Sequence, residues 1–273
     1  MNSSTNATTP PPLLYKFLSL ADGQSPSWQE RLTQLLDGRC FHPGAAAFND
    51  PFDCWPYAEI PGSKAQFEEE QAPFVAALTE AIRRDLPADF IQGRIREKLA
   101  AEPIAEINDN IQQGLRLNAD ATGVFCLAAC IESTLMWSHY ASNHSGIALR
   151  FDFRRQPYGG LNPLWKVEYQ DDRPVLAELL SVNTGTALPR ALATKSTVWA
   201  YEQEWRSMKA DGAGTVVRFN PEVLTGVVFG AGCRPDDEAW IRDVVRGRGF
   251  DLERMRPNRR TFDLDRILAT AGD

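Results

Sequence analysis

The sequence predicts an α+β fold, a mixed and mostly antiparallel sheet with a helical insertion in the N-terminal half. Two observations carry this expectation. Between Phe67 and Leu117, apolar residues recur at three- and four-residue spacing (Phe74, Leu78, Ile82; Phe90, Ile91, Ile95, Leu99; Ile104, Ile107, Ile111, Leu115), the period of helices packed by one face. From Gly123 onward the period shortens to that of strands, in short apolar runs separated by turn residues. No linker divides the chain, so residues 13–273 are expected to form a single α+β domain, with the insertion at about 67–117.

Taken in order, residues 1–12 are Ser, Thr, Asn and Pro in the main and predict a disordered tail. Leu13–Phe17 reads as a strand. Ser27 with Glu30 has capping-box spacing and opens a helix that Asp37-Gly38 ends. Arg39–Pro43 is a short strand leading into the loop Phe48-Asn49-Asp50-Pro51-Phe52-Asp53. There, Asn and Asp before Pro form either a capped turn anchored by its phenylalanines or a polar loop whose Asn49, Asp50 and Asp53 face a pocket. Pro73, Pro87 and Pro103 divide the insertion into separate helices. Val124–Ala128 is apolar on both faces, as an interior strand is. Glu132–Ala141 reads as a short helix or turn, Ile147–Phe153 as a strand, and Trp165–Tyr169 as its neighbour. Val175–Leu180 and Ala187–Lys195 read as helical. Thr215–Phe219 and Val227–Phe229 are strands around a turn at Pro221–Leu224. Pro235–Gly247 is an amphipathic helix with Trp240, Ile241, Val244 and Val245 inward, and Leu252–Arg256 and Arg260–Leu264 suit edge strands.

Composition narrows the function classes. A net charge of −7 argues against a protein that coats nucleic acid electrostatically, while leaving room for a local basic surface. Five cysteines at irregular spacing suggest reduced thiols rather than a disulfide framework, and no zinc-type spacing accompanies Cys126 and Cys130. No apolar run is long enough for a membrane span or a secretory signal, so a cytoplasmic protein is expected. There is no phosphate-binding glycine loop, dinucleotide fingerprint, nucleophile elbow or His-Glu-x-x-His, and no metal is expected.

The densest chemistry lies in Lys195-Ser196-Thr197-Val198-Trp199-Ala200-Tyr201-Glu202-Gln203-Glu204-Trp205-Arg206. If Gln203–Met208 is extended, Glu202, Glu204 and Arg206 share one face, and Gln203, Trp205 and Ser207 the other. Such a face is either a structural ion network or part of a site. Upstream, Trp137-Ser138-His139-Tyr140 and His144 hold two of the three histidines.

Tyr15-Lys16-Phe17, Phe48–Asp53, Leu135–Ala141 with Gly146, Lys195 and Tyr201–Arg206, in that order, resemble the bacterial family known as domain of unknown function 2971. The resemblance runs from near Leu13 to Leu264. Relatives often read Tyr-Lys-Tyr-Arg where this chain has Tyr15-Lys16-Phe17-Leu18. The family implies no reaction. Glu202-Gln203-Glu204 is also similar, more weakly, to the Glu-x-Glu of ADP-ribosyltransferases. That likeness implies Glu204 as the anion beside a developing oxocarbenium ion and Glu202 as the acid on the acceptor side. It further implies Tyr15, Trp137, His139 and Tyr140 as stacking or ribose-binding groups, with Asn49 and Asp50 lining the pocket. Lys16, Lys195 and Arg206 would meet pyrophosphate, and Phe52 and Tyr201 complete the cofactor-side set.

The expectation is therefore an NAD-consuming transferase acting on nucleic acid or protein, in phage defence or as a toxin. NAD is its dinucleotide substrate. Two alternatives stand beside it: a non-enzymatic binding or regulatory module, and a metal-independent nuclease using His139 with Lys195 or Arg206.

Overall fold

The computed structural model describes residues 10–57, 103–174 and 187–270 apart from 22, 24, 25, 156 and 162, with a few isolated positions between 87 and 101. The expected helices around Phe74–Ile82 and at Val175–Leu180, and the tail before residue 10, lie outside the described residues.

An eight-stranded sheet runs in the order β12-β11-β10-β4-β1-β3-β8-β5. Its strands are β1 (Leu13–Leu18), β3 (Gly123–Ala128), β4 (Ile147–Asp152), β5 (Leu164–Lys166), β8 (Glu204–Lys209), β10 (Leu224–Phe229), β11 (Asp251–Pro257) and β12 (Leu264–Leu268). All neighbours are antiparallel except β10 and β11, which are parallel and joined through helix α5 (Pro235–Val244), as a parallel pair requires. Two small ladders flank it, β2 (Arg39–His42) with β9 (Thr215–Arg218), and β6 (Glu168–Gln170) with β7 (Thr194–Ser196). The α+β expectation, mixed and mostly antiparallel, is met.

The interior strands are apolar on both faces, and each face has its own cover. Leu14, Phe125, Leu127, Leu149, Phe151, Trp205 and Val227 pack under α1 (Trp28–Leu36) and α5 in the larger core. Helix α1 starts at the predicted capping box: the Ser27 hydroxyl accepts from Glu30 N, and the Glu30 carboxylate accepts from Ser27 N. On the opposite face the cover is divided. Helix α3 (Thr134–Tyr140) places Met136 and Trp137 over Tyr15, Phe17, Ala148 and Val228. Separately, α2 (Ile104–Ala121), α4 (Ala187–Leu192) and a 3-10 turn at Ala45–Ala47 enclose Ala119, Val124 and Leu192. The seam between these two smaller cores runs over β1 and β3, which pair only at Tyr15 and Ala128.

Several boundaries differ from the expected ones for local reasons. Trp165–Tyr169 is not a strand beside β4. It breaks at Val167, whose N–H donates to Glu204 O, so that β5 joins β8 at the sheet edge while β6 leaves to pair with β7. Strand β11 is interior, and Arg260–Leu264 is mostly a turn because the Asn258 side chain accepts from Arg260 N and Thr261 N. Ala187–Lys195 is helical only to Leu192. The Pro12 carbonyl accepts from Phe153 N, which ties the start of β1 to the end of β4.

Gly146 follows three left-handed residues, Ser142, Asn143 and His144, and brings the chain from α3 into β4. A Cβ there would lie 2.3 Å from Leu18 O and 2.9 Å from Ala141 O. Gly146→Ala is expected to lower stability by roughly 1–3 kcal/mol through forced backbone displacement, measured as a lower urea midpoint at unchanged m-value.

Candidate functional site

The seam between the two smaller cores holds a cavity of about 310 Å³. Tyr15, Phe17, Phe48 and Met136 form apolar wall, and Glu202, Glu204 and Lys195 supply its charged lining. Helix periodicity explains the contribution of α3: Met136, His139 and Tyr140, at i, i+3 and i+4, share the face that meets the cavity. Trp137 is turned about 100° from that face and is fully buried, its indole N–H donating to Ile131 O at 2.7 Å and its ring edge-on to Phe17. It is a core residue outside the cavity lining, not a stacking surface.

The charged lining belongs to a five-residue network in which Asp53, Lys195, Glu202, Glu204 and Arg206 are all buried. Arg206 is its centre and has no solvent exposure. Its Nε and Nη2 donate to the two oxygens of Glu204, each at 2.8 Å, the bidentate geometry that guanidinium and carboxylate favour. Nη2 also donates to Asp53 Oδ2 at 3.0 Å, and Nη1 to the Leu192 carbonyl at 2.6 Å at the end of α4. Lys195 Nζ lies 2.7 Å from Glu202 Oε2, 3.1 Å from Asp53 Oδ2 and 3.5 Å from Glu204 Oε2, and 4.9 Å from the centroid of the Trp199 ring. Tyr140 OH donates to Glu202 Oε1 at 2.6 Å.

The expected shared face of Glu202, Glu204 and Arg206 is reached by a different route. Strand β8 begins only at Glu204, so alternation aligns Glu204 with Arg206 and sends Trp205 into the larger core. Glu202 closes a 3-10 turn at Thr197–Glu202, and Gln203, exposed and left-handed at φ 44°, swings Glu202 back towards Glu204.

The two glutamates differ electrostatically. Burial raises the pKa of Glu204, but Arg206, reinforced by Lys195, overrides it and holds the carboxyl at about 2. Glu202 goes the other way: burial lifts it above its ordinary value, Lys195 opposes that, and the neighbouring Glu204 adds to the lift. Burial also opposes the charge on Lys195, yet Glu204, Asp53 and Glu202 together raise its pKa, so it stays an ammonium. Cys126, on the cavity wall, is held as an inert thiol because burial pushes its pKa well up. Tyr140 is likewise raised, first by burial and then by Glu202, which fixes it as a donor.

The remaining expected residues divide among three places. Asn49 lines the cavity with Tyr15, but the Tyr15 hydroxyl accepts from Arg266 Nη1 at 2.9 Å. Lys16 borders the cavity, while its ammonium donates to Cys126 O at 3.1 Å and lies 4.7 Å from the centroid of Phe125, a ring of the opposite sheet face. Asp50 and the exposed Phe52 line a second cavity, beyond Lys195, where Asp50 caps the turn by accepting from Phe52 N. His139 is exposed and belongs to an aromatic cluster with Tyr140, Trp199 and Tyr201, ring centroids 6.0–6.4 Å apart. Lys195 and Arg206, expected to meet pyrophosphate or to serve a nuclease beside His139, instead have their charge taken up by buried carboxylates. Asp53, raised in the sequence only as one polar residue of a loop, is the network's third acid. Its distance in sequence from both cations hides it, and its position directly after Asp-Pro-Phe in the turn was the available signal. Among the described residues, no three of His, Cys, Asp and Glu are placed to hold a metal ion. None of the described helices is long and apolar enough to cross a membrane.

Comparison with known proteins finds a similarity over part of this site. Residues 136–207 match the family model described as protein of unknown function (DUF2971). The matched segment runs from Met136, on α3, through Glu202, Glu204 and Arg206, and so contains the cavity face of α3 and four of the five network residues. Asp53 and the Tyr15 and Asn49 walls come from outside it. No curated protein and no solved structure matches the chain, and nothing matched carries the weaker ADP-ribosyltransferase likeness.

Two consequences are measurable. Replacing Arg206 by Met leaves Glu204 and Asp53 buried without their main counter-charge, and is expected to cost roughly 3–5 kcal/mol in denaturant unfolding. With pH, the low folded-state pKa of Glu204 means that its stabilisation is complete above the ordinary value of 4.5 and is lost as pH falls towards 2. Glu202 has the opposite sign, favouring the folded state in acid and losing that contribution as pH rises through its raised pKa. The variant Glu202→Gln is therefore expected to gain relative to wild type as pH rises from 4 to 7, in paired urea titrations across that range.

Proposed function

We propose that the cavity is the active site of an NAD-consuming enzyme of ADP-ribosyltransferase type, with Glu202 facing the reacting ribose. One observation supports this most: the lining network sets three carboxylates (Asp53, Glu202, Glu204) against two cations (Lys195, Arg206), beside a cluster of aromatic rings. An anionic floor near aromatic faces suits a planar cation, and the nicotinamide ring of NAD is one. Breaking its bond to ribose C1′ sends both bonding electrons out with nicotinamide and leaves positive charge on the sugar. A fixed carboxylate stabilises that charge without reorganising. The acceptor atom of a nucleic acid or protein then bonds C1′ and releases its proton to solvent.

Between the two acids the geometry favours Glu202. Both oxygens of Glu204 are engaged by Arg206, so its charge is already neutralised. Glu202 is oriented by Tyr140 and Lys195, with lone pairs left over on each oxygen. The volume stands at the small end of ligand cavities, which suits the nicotinamide-ribose end with the rest of the dinucleotide outside. No arginine or lysine of the network is left for pyrophosphate, so that group is expected to contribute little affinity.

The binding-module reading has one observation of its own: each network side chain is already paired within the protein, as a purely structural cluster requires. Thermal unfolding with and without NAD separates the two. On the enzymatic reading NAD raises the midpoint, since ligand bound only by the native state stabilises it by about 2.7 kcal/mol at one hundred times Kd. Glu202→Gln is expected to keep that shift while cutting NAD turnover by roughly 10²–10³-fold. An unmoved midpoint at saturating NAD, in a folded protein, selects the binding module.

A further inference from the structure

The turn between β11 and β12 combines three features that neither the fold nor the cavity uses. Residues 256–263, the last two residues of β11 and the turn itself, read Arg-Pro-Asn-Arg-Arg-Thr-Phe-Asp, three arginines against the carboxylate of Asp263, with Asp265 opposite Arg256 across the ladder, in a chain whose net charge is −7. Arg256, Arg259 and Arg260 are exposed, and among the described residues none has an ion-pair partner. The other arginines of this region are mostly engaged: Arg254 pairs with Glu238, Arg242 with Glu238, Arg246 with Asp243, and Arg266 with Glu253 and the Tyr15 hydroxyl.

The second feature is Phe262, whose ring is completely exposed at 103%. An isolated exposed apolar residue is ordinary, but one held within three residues of two unpaired arginines, with a third at the end of β11, is a different surface. The third feature is rigidity. Asn258 accepts from Arg260 N at 2.8 Å and Thr261 N at 3.0 Å, its own N–H donates to Asp263 O at 2.9 Å, and its amide donates to Asp265 Oδ1 at 3.0 Å. Met255 and Leu264, just before and after, are buried in the core under α3 and anchor both stems. The backbone of the tip is thus fixed before anything binds, and the ordering left to pay for is that of the exposed side chains.

We infer that this hairpin tip is a binding surface for single-stranded nucleic acid, with Arg256, Arg259 and Arg260 on phosphates and Phe262 stacked on a base. Unpaired guanidinium groups suit phosphate oxygens, and an exposed ring needs the open face of an unpaired base, which a duplex conceals. One aromatic ring on a stiff turn gives too little apolar area to insert into a bilayer, so a lipid surface is the weaker match. The surface is independent of the NAD reading, since no residue of the cavity takes part.

Fluorescence anisotropy of the full chain with a short labelled single-stranded DNA, and separately RNA, tests this. Binding is expected to weaken with salt, with a slope of log K against log salt of about −2 for three phosphate contacts. Phe262→Ala is expected to weaken binding about tenfold, the loss of one stacked base, and Arg259→Glu with Arg260→Glu to abolish it. Both variants change exposed side chains, so their melting temperatures should match wild type. The inference is overturned by the absence of binding at low salt, by binding that neither variant alters, by equal affinity for the duplex, or by binding to anionic phosphatidylserine vesicles and not to nucleic acid.

Discussion

A guanidinium with no solvent exposure, in the middle of a strand, is the constraint to which this half of the molecule answers. Unpaired, the Arg206 charge would cost several kcal/mol in desolvation, so the chain must bring carboxylates and carbonyls to it. Glu204 arrives by strand alternation. Asp53 is delivered by the 48–54 loop, and the Leu192 carbonyl by the end of α4. Two segments, the 48–54 loop and the end of α4, are therefore fixed relative to β8 by a single side chain. Lys195 extends the arrangement to Glu202, and Tyr140 extends it to α3.

This convergence also accounts for the cavity. The upper face of the sheet is covered by two small cores rather than one, and the charged cluster stands where they would otherwise meet. Apolar side chains cannot fill a seam floored by carboxylates without desolvating them further, and the carboxylates cannot leave without stranding Arg206. Space remains over β1 and β3, whose ladder is reduced to one pair. Lys16 takes up part of the loss by donating to the Cys126 carbonyl. The site follows from how the core was divided, and the same residues serve stability and the cavity lining.

What the sequence revealed of this follows from range. The long central strands, the capping box of α1, the turn at Pro221 and the inward face of α5 depend on neighbours a few residues away, and local pattern recovers them. The β8 face was legible for Glu204 and Arg206 for the same reason. Glu202 reached the predicted place through a left-handed Gln203, a conformation that no propensity assigns to glutamine. The break at Val167 depends on Glu204, 37 residues on, and the role of Asp53 on a partner 153 residues away. Trp137 was misplaced although the information was local: on a helix, a residue one step from Met136 and two from His139 lies off the face those two share.

The division of labour between the two glutamates is the point at which geometry changes the motif-based argument. A Glu-x-Glu pattern ranks its second acid as the catalytic one, and here that acid is the one Arg206 neutralises. A carboxylate held near pKa 2 by a bidentate guanidinium is a poor partner for any new positive charge, because its field is already terminated a few ångströms away. Glu202 accepts from Tyr140, whose raised pKa keeps that proton in place, and shares one ammonium; burial, with Glu204 adding to it, keeps its pKa raised despite that ammonium. An acid left with unbalanced charge beside a cavity is one that a cationic ligand can stabilise. The two acids therefore differ in how they are held: Glu204 with Arg206 and Asp53 maintains the floor, and on the proposed reading Glu202 with Tyr140 is the part of it that would face a ligand.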